Sequence, residues 1–342
     1  MRFLVLEWQA ALDQARAALA AFVRAPDERL VFTANATTGV AIALGSAQIA
    51  AGEEILITDH TYRAVRNQLV RLADARGARI VTVPVPLPFD PDAAVTAITA
   101  AITPRTRLAV LDHVTSPTGL VMPLERIIPA LSANGAQILI DGAHAPGQLA
   151  LDIGALLALG VTWYAGNNHK WVCAVKGTGF LVTTTSAQPV VTSHGASPDY
   201  GPPNRLHAEL DWSGTHDPTP HLTVPIALAT VATILPWPEV IRRNHALACE
   251  LRARVIELLG GNASHRLAPE TSLGSMAAIP IALPPNTKPF DMTKRLLHDG
   301  WELPIVDWPG QPLVRLSAHL YNESSQAELV ADKLRSLGIG LR

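Results

Sequence analysis

Cysteine is almost missing from this chain: Cys173 and Cys249 are the only two in 342 residues. That excludes a disulfide framework and makes a reducing cytoplasm the expected setting. Excess charge is missing as well. The 27 basic and 29 acidic residues leave a net charge of −2, which offers no attraction to nucleic acid or an anionic membrane. No apolar run reaches the roughly 18 residues that span a bilayer, so no membrane partner is expected. The opening MRFLVLEWQAALDQ lacks a cationic start and a small-residue cleavage site, so it does not read as a secretory signal. There is no solenoid-like repeat and no low-complexity tract. What the chain does have is apolar surface. Hydrophobic residues make up 48% and charged residues 16%, enough for a large core at a length that suggests two domains.

That apolar material alternates between two patterns. β-rich runs occur at residues 30–34, 54–58, 79–85, 108–114, 137–140, 161–165 and 179–182. Helical patterns occupy 7–22, 38–48, 62–76, 91–102, 124–133 and 153–159. Fully apolar strands with helical crossovers predict an α/β fold, its large domain built on a mainly parallel seven-stranded sheet covered on both faces. Residues 184–224, rich in Pro, Gly, His and Asp, read as a long functional loop region. A helical stretch follows Pro225 to about Leu259. A smaller α/β unit then shows strands at 276–282 and 313–317 and helices at 291–298 and 325–337. The expected division is a large domain over 1–224, then a linker helix and small C-terminal domain over 225–342.

In such sheets ligands bind at the carboxyl ends of the strands. Five strands deliver polar groups there: Asn35 to Gly39, Asp59 to Tyr62, Thr115 to Gly119, Asp141 to His144, and the stretch GNNHKW at 166–171. Each has an ordinary reading as a helix cap, a turn or a solvated lysine. Their convergence on one edge outweighs those readings. Lys170 precedes Trp171, Val172 and Cys173, poor company for a solvated ammonium. A partly buried lysine is a nucleophile. The backbone N–H groups at the helix start after Asn35 suit an anion. One cofactor uses all these parts. Pyridoxal phosphate needs a lysine for its Schiff base, a carboxylate to keep its ring nitrogen protonated, an anion site and a flat group over the ring. A metal hydrolase using Asp141, His144, His169 and His113 is the rival, and it leaves Lys170 and the Thr37–Thr38 turn idle.

The segments FTANATTGVAIAL, TDHTYRAV, LDHVTSPTGLVMPL, LIDGAHAPGQ, YAGNNHKWVCAVKGTGFL, WSGTHDPTP and VRLSAHLYN occur in that order. Together they resemble the class V aminotransferase family of pyridoxal-phosphate enzymes. The branch most resembled is the isopenicillin N epimerase-like one, which also holds C–S lyases such as hercynylcysteine sulfoxide lyase. The likeness runs from about Leu12 to near the end and implies the fold type I, aspartate aminotransferase-like architecture. It implies that Lys170 forms the Schiff base and Asp141 binds the pyridine nitrogen, with His144 near the ring hydroxyl. Thr37, Thr38 and His169 would hold the phosphate, with Asn167 or Asn168 nearby. His60 or Tyr62 would stack over the ring. Ser116 stands where many relatives carry an Asn near the cofactor. Thr215 matches a segment that reaches a neighbouring subunit's phosphate, implying a homodimer with shared sites. Arg315 matches the arginine that grips the α-carboxylate of an amino-acid substrate, a task suited to a bidentate guanidinium.

The activity implied is proton chemistry at the α-carbon of the epimerase kind, with Lys170 as base and His60 or Tyr62 as a second acid. A C–S lyase or an aminotransferase is the alternative. Two departures qualify the resemblance. Relatives usually begin with an extra segment containing an LNHGS-like turn, so a more open site, or one completed by a partner, is expected here. Cysteine desulfurases of the family carry a nucleophilic cysteine on a loop of the small-domain half. Cys249 falls in a helical run and Cys173 follows the lysine too closely, so persulfide chemistry is not expected.

Overall fold

The computed structural model describes residues 2–184, 206–212 and 214–342. Contacts divide the chain into two compact units. The first comprises Met1–Pro84, Val95–His113 and Pro123–Trp237. The second comprises Val85–Ala94, Val114–Met122 and Pro238–Arg342.

The first unit is built on seven strands: β1 (Leu30–Thr33), β2 (Glu54–Thr58), β3 (Arg79–Val83), β4 (Thr106–Asp112), β5 (Gln137–Gly142), β6 (Trp163–Asn167) and β7 (Gly179–Thr183). Their order across the sheet is β1-β7-β6-β5-β4-β2-β3. The five strands from β6 to β3 run parallel, and β7 runs antiparallel to both its neighbours. Strands β1, β2, β6 and β7 are buried along their whole length, which is why they read as unbroken apolar runs rather than alternating ones. The seven-stranded, mainly parallel sheet expected from the sequence is therefore present.

Strand β6 lies two residues later than its apolar pattern suggests. Gly166 and Asn167 continue the ladder, paired with Phe180 and Gly179. Backbone pairing, not side-chain apolarity, sets that end. Strand β5 likewise runs on through Asp141 and Gly142. The helices of this unit include α1 (Trp8–Val23), α2 (Ala36–Ser46) and α3 (Arg63–Arg76). Helix α2 lies close on the sheet because position 39 is glycine: a Cβ there would sit 3.3 Å from the Ala165 Cβ. Helix α1 is tied down by Arg16, whose guanidinium donates to the Leu30 carbonyl at 2.8 Å and pairs with buried Asp211 at 2.5 Å.

The stretch read as a loop over 184–224 holds two short helices, Leu206–Leu210 and Thr219–Leu222; residues 185–205 lie outside the described residues. The helical stretch after Pro225 is two helices, Val224–Ile234 and Trp237–Leu258, interrupted at Leu235 and Pro236. Proline cannot donate the backbone N–H that would carry a helix across this point. Among the described residues no single helix is long and apolar enough to cross a membrane.

In the second unit four strands form an antiparallel sheet in the order β11-β8-β10-β9: β8 (Met276–Ala282), β9 (Ile305–Val306), β10 (Leu313–Ser317) and β11 (Gly340–Leu341). Helices Pro289–His298 and Gln326–Ser336 bury Met292, Leu296, Ala327 and Leu334 in one core with Ile279 and Val314. The segments 85–94 and 114–122 join this unit through Phe89 N–H to Leu267 O (2.7 Å) and Val121 N–H to Ser272 O (2.9 Å).

Candidate active site

The parallel strands of the first unit end in the polar residues picked out from the sequence, and the structure shows how each is held. The start of α2 is capped twice. Asn35 Oδ1 accepts from the Thr38 amide at 2.9 Å, and Asn167 Oδ1, from the end of β6, accepts from the Ala36 amide at 2.8 Å. Thr38 Oγ1 also points at the Asn35 cap, 3.2 Å away. The Thr37 amide takes part in neither cap. Asn167 is therefore a structural brace between strand and helix.

Asp141 is buried, and its Oδ1 accepts from the Ala143 amide at 3.0 Å. Burial pushes its carboxyl above the ordinary range, opposed by that N–H and by the Lys170 charge. His144 follows on the turn. The Trp171 indole nitrogen lies 3.4 Å from His144 Nδ1, a long contact that packs the two rings edge to edge. That contact turns His144 Nε2 toward Lys170 Nζ, 3.1 Å away. The two turns meet because position 147 is glycine. Gly147 has φ +80°, and a Cβ there would stand 2.8 Å from the Trp171 carbonyl.

Lys170 is half-buried. Asn168, beside it, is fully buried; its Nδ2 reaches Thr178 Oγ1 at 3.3 Å, while its Oδ1 has no hydrogen-bond partner among the described residues. His169 Nδ1 lies 2.7 Å from the Thr178 carbonyl, which accepts its proton. Burial lowers the His169 pKa, so the ring is neutral near pH 7. His60 and Tyr62 differ in kind: His60 is 0% exposed and Tyr62 is 43% exposed.

Three candidates lie on other segments of the chain. Thr215 is exposed, beside His216 of the Trp8 and Trp212 aromatic cluster. Ser116 and Arg315 belong to the second unit, where the Arg315 guanidinium donates to the Ser116 carbonyl. His113 is engaged elsewhere, its Nδ1 2.9 Å from the Tyr164 hydroxyl, and burial lowers its pKa to about 4. Among the described residues no three His, Cys, Asp or Glu side chains come together as a metal set, so the hydrolase reading has no centre there. Cys249 is buried and Cys173 is exposed, and neither is in a disulfide. A cavity of about 570 Å³ opens beside Thr38, between Trp8, Phe32, His216 and His221. Thr38 of this group lines it, and Asp141 and Lys170 do not.

One residue escaped the sequence reading. Asp112 ends β4 directly opposite Asp141 and is 4% exposed. Its signal was visible, since LAVLD ends as LID does, an apolar strand closed by an aspartate. The residues present suit pyridoxal phosphate by the chemistry of the set: an amine on Lys170, a buried carboxylate on the adjoining strand and a helix start for an anion.

Comparison with known proteins agrees. The profile of the family described as aminotransferase class-V matches residues 4–209. The isopenicillin N epimerase of Amycolatopsis lactamdurans is 36% identical, over 98% of this chain and 87% of its own length. That of Streptomyces clavuligerus is 32% identical over the same shares. Among solved structures, a complex of the cystine C–S lyase C-DES with cysteine persulfide superposes with a TM-score of 0.80 at 21% identity, covering 96% of this chain and 87% of that one. That last likeness concerns the fold alone. By profile and by near full-length identity, this chain belongs to the class-V aminotransferase family.

Proposed function

We propose that the protein is a pyridoxal-phosphate enzyme that exchanges the α-proton of an amino acid, as its isopenicillin N epimerase relatives are named for doing. The observation that carries this reading is the Lys170 amine, 3.1 Å from His144, its charge acting on buried Asp141 of the adjoining strand. Bound pyridoxal phosphate supplies an electron sink that stabilises negative charge at the substrate α-carbon. Lys170 attaches the cofactor and serves as a base for the α-proton. His144 orients the amine. Asp141 holds the proton on the ring nitrogen. Thr37, Thr38 and the start of α2 take the phosphate. His169 would add a donor if its Nε2 took a proton from solvent beside the phosphate dianion, its Nδ1 already facing the Thr178 carbonyl.

Burial favours Tyr62 over His60 as the ring cover. A side chain with no accessible surface has no face to offer a ligand, whereas Tyr62 does. Its phenol is then the second acid that epimerisation needs. Arg315 takes the substrate carboxylate, Ser116 lies near the cofactor, and Thr215 reaches the phosphate of a second copy in a homodimer. Sedimentation of the loaded protein reads that last point, and an active monomer contradicts it. Neither cysteine is in a disulfide, which suits a cytoplasmic setting.

The test is incubation in deuterated water with a panel of L-amino acids and cysteine S-conjugates. Deuterium at the α-carbon with loss of chirality is expected. Pyruvate and ammonia from S-conjugates, without racemisation, would make the protein a C–S lyase instead.

A further inference from the structure

Two carboxylates, not one, sit at the end of the parallel sheet. Asp112 and Asp141 are register partners on β4 and β5, so their side chains leave the same face at neighbouring strand positions. They are 4% and 5% exposed. The function proposed above uses only Asp141.

The surroundings of the two differ. Asp141 accepts from the Ala143 amide. Asp112 faces the backbone N–H of Tyr62, the residue that caps α3, so it also holds the loop that carries Tyr62. Its Oδ2 is buried with no hydrogen-bond partner among the described residues. The cation acting on both carboxyls is Lys170. Two anions against one ammonium leave a buried negative charge uncompensated, and a buried anionic oxygen without a donor is the costlier place to put it. A protonated carboxyl removes that cost, because the neutral form tolerates an apolar surround.

We propose that Asp112 is a positioning residue that carries the proton of this pair, leaving Asp141 as the one charged carboxylate and holding the Tyr62 loop beside it. The inference rests on the pyridoxal-phosphate reading for its purpose but not for its test. Burial first, then the Asp141 charge, push the Asp112 carboxyl well above its ordinary range, in keeping with this assignment. A neutral Asp112 lets one full negative charge face the ring nitrogen. Were the pair to share its proton evenly, Asp141 would hold the ring proton less tightly.

The experiment is infrared spectroscopy of the ligand-free protein at neutral pH. The wild type should show a protonated-carboxyl C=O band that shifts on exchange into deuterated water. Asp112→Asn should lose that band and Asp141→Asn should keep it. Absence of the band in the wild type, or its loss in Asp141→Asn with survival in Asp112→Asn, overturns the assignment. A cofactor titration adds a second measurement. Asp112→Ala drops the hold on the Tyr62 loop and should weaken pyridoxal-phosphate binding about tenfold, with Asp112→Asn restoring most of it because the amide keeps the shape and the acceptor. An asparagine no better than alanine would show that charge on Asp112 is what matters, and the proposal falls. Failure of the wild type to bind pyridoxal phosphate would remove the proposed function, while the infrared result would still decide which carboxyl holds the proton.

Discussion

Asp141→Asn should move the ligand-free and the cofactor-loaded protein in opposite directions. In the ligand-free protein Asp141 is a buried carboxyl facing Asp112 across one strand spacing. With Asp112 holding the proton of the pair, the cost of the Asp141 charge is its burial rather than repulsion between two anions. Asparagine keeps the oxygen that accepts from the Ala143 amide and removes the charge. The ligand-free variant should therefore gain about 1–3 kcal/mol at pH 8.

The pH dependence has a definite sign. The folded carboxyl titrates above its ordinary 3.8, so the native state binds the proton more tightly than the unfolded chain does. That stabilisation is complete below the ordinary value and is lost as pH rises through the raised one. The amide is neutral throughout, so its advantage should be absent near pH 4 and full at pH 8. Cofactor binding should go the other way. Losing a charge-assisted hydrogen bond to the ring nitrogen costs about 1.5–3 kcal/mol, roughly 10- to 100-fold in affinity. Urea melts of the ligand-free variant at pH 4 and 8, with a pyridoxal-phosphate titration, read both halves. A variant destabilised equally at both pH values, with affinity unchanged, would refute the reasoning.

Two further outcomes are expected. Gly147→Ala should lower both the melting midpoint and cofactor affinity, because its Cβ meets the Trp171 carbonyl at 2.8 Å and pushes the His144 turn away from Lys170. Gly135→Ala, with φ +75° but open space around it, should cost only the backbone strain, about 1–2 kcal/mol, and spare affinity. In acid, Glu54 should set part of the stability. The Thr103 hydroxyl, with Arg79 and Arg105, lowers its carboxyl from 4.5 to about 2, so its contribution is present above 4.5 and lost as pH falls toward 2. Glu54→Gln should flatten that limb of an acid-denaturation curve, and an unchanged slope would contradict the assignment.

The sheet was legible because its strands are apolar on both faces. The positions of Lys170, Asp141 and His144 at strand ends followed from the turn residues around them. Other features depend on partners distant in sequence. The antiparallel setting of β7 and the extension of β6 through Asn167 are decided by ladder bonds between them. Strands β9 and β11 are two residues each, too short for any periodicity to show. The break at Pro236 was available from the sequence but hidden inside a strongly helical pattern. At the site, no spacing announced that Trp171 turns His144 toward Lys170, or that Gly147 lets the two turns touch. The pairing of Asp112 with Asp141 needed the strand register, which only the folded sheet supplies.

The central claim is that Lys170 carries the cofactor. The direct measurement is borohydride reduction of the pyridoxal-phosphate-loaded protein, then proteolysis and mass spectrometry of the labelled peptide. The account predicts one pyridoxyl group on Lys170 and none on nearby exposed Lys176, with the visible absorbance lost in Lys170→Ala. A label on Lys176 or any other lysine, or a Lys170→Ala protein that keeps the wild-type spectrum, would contradict it.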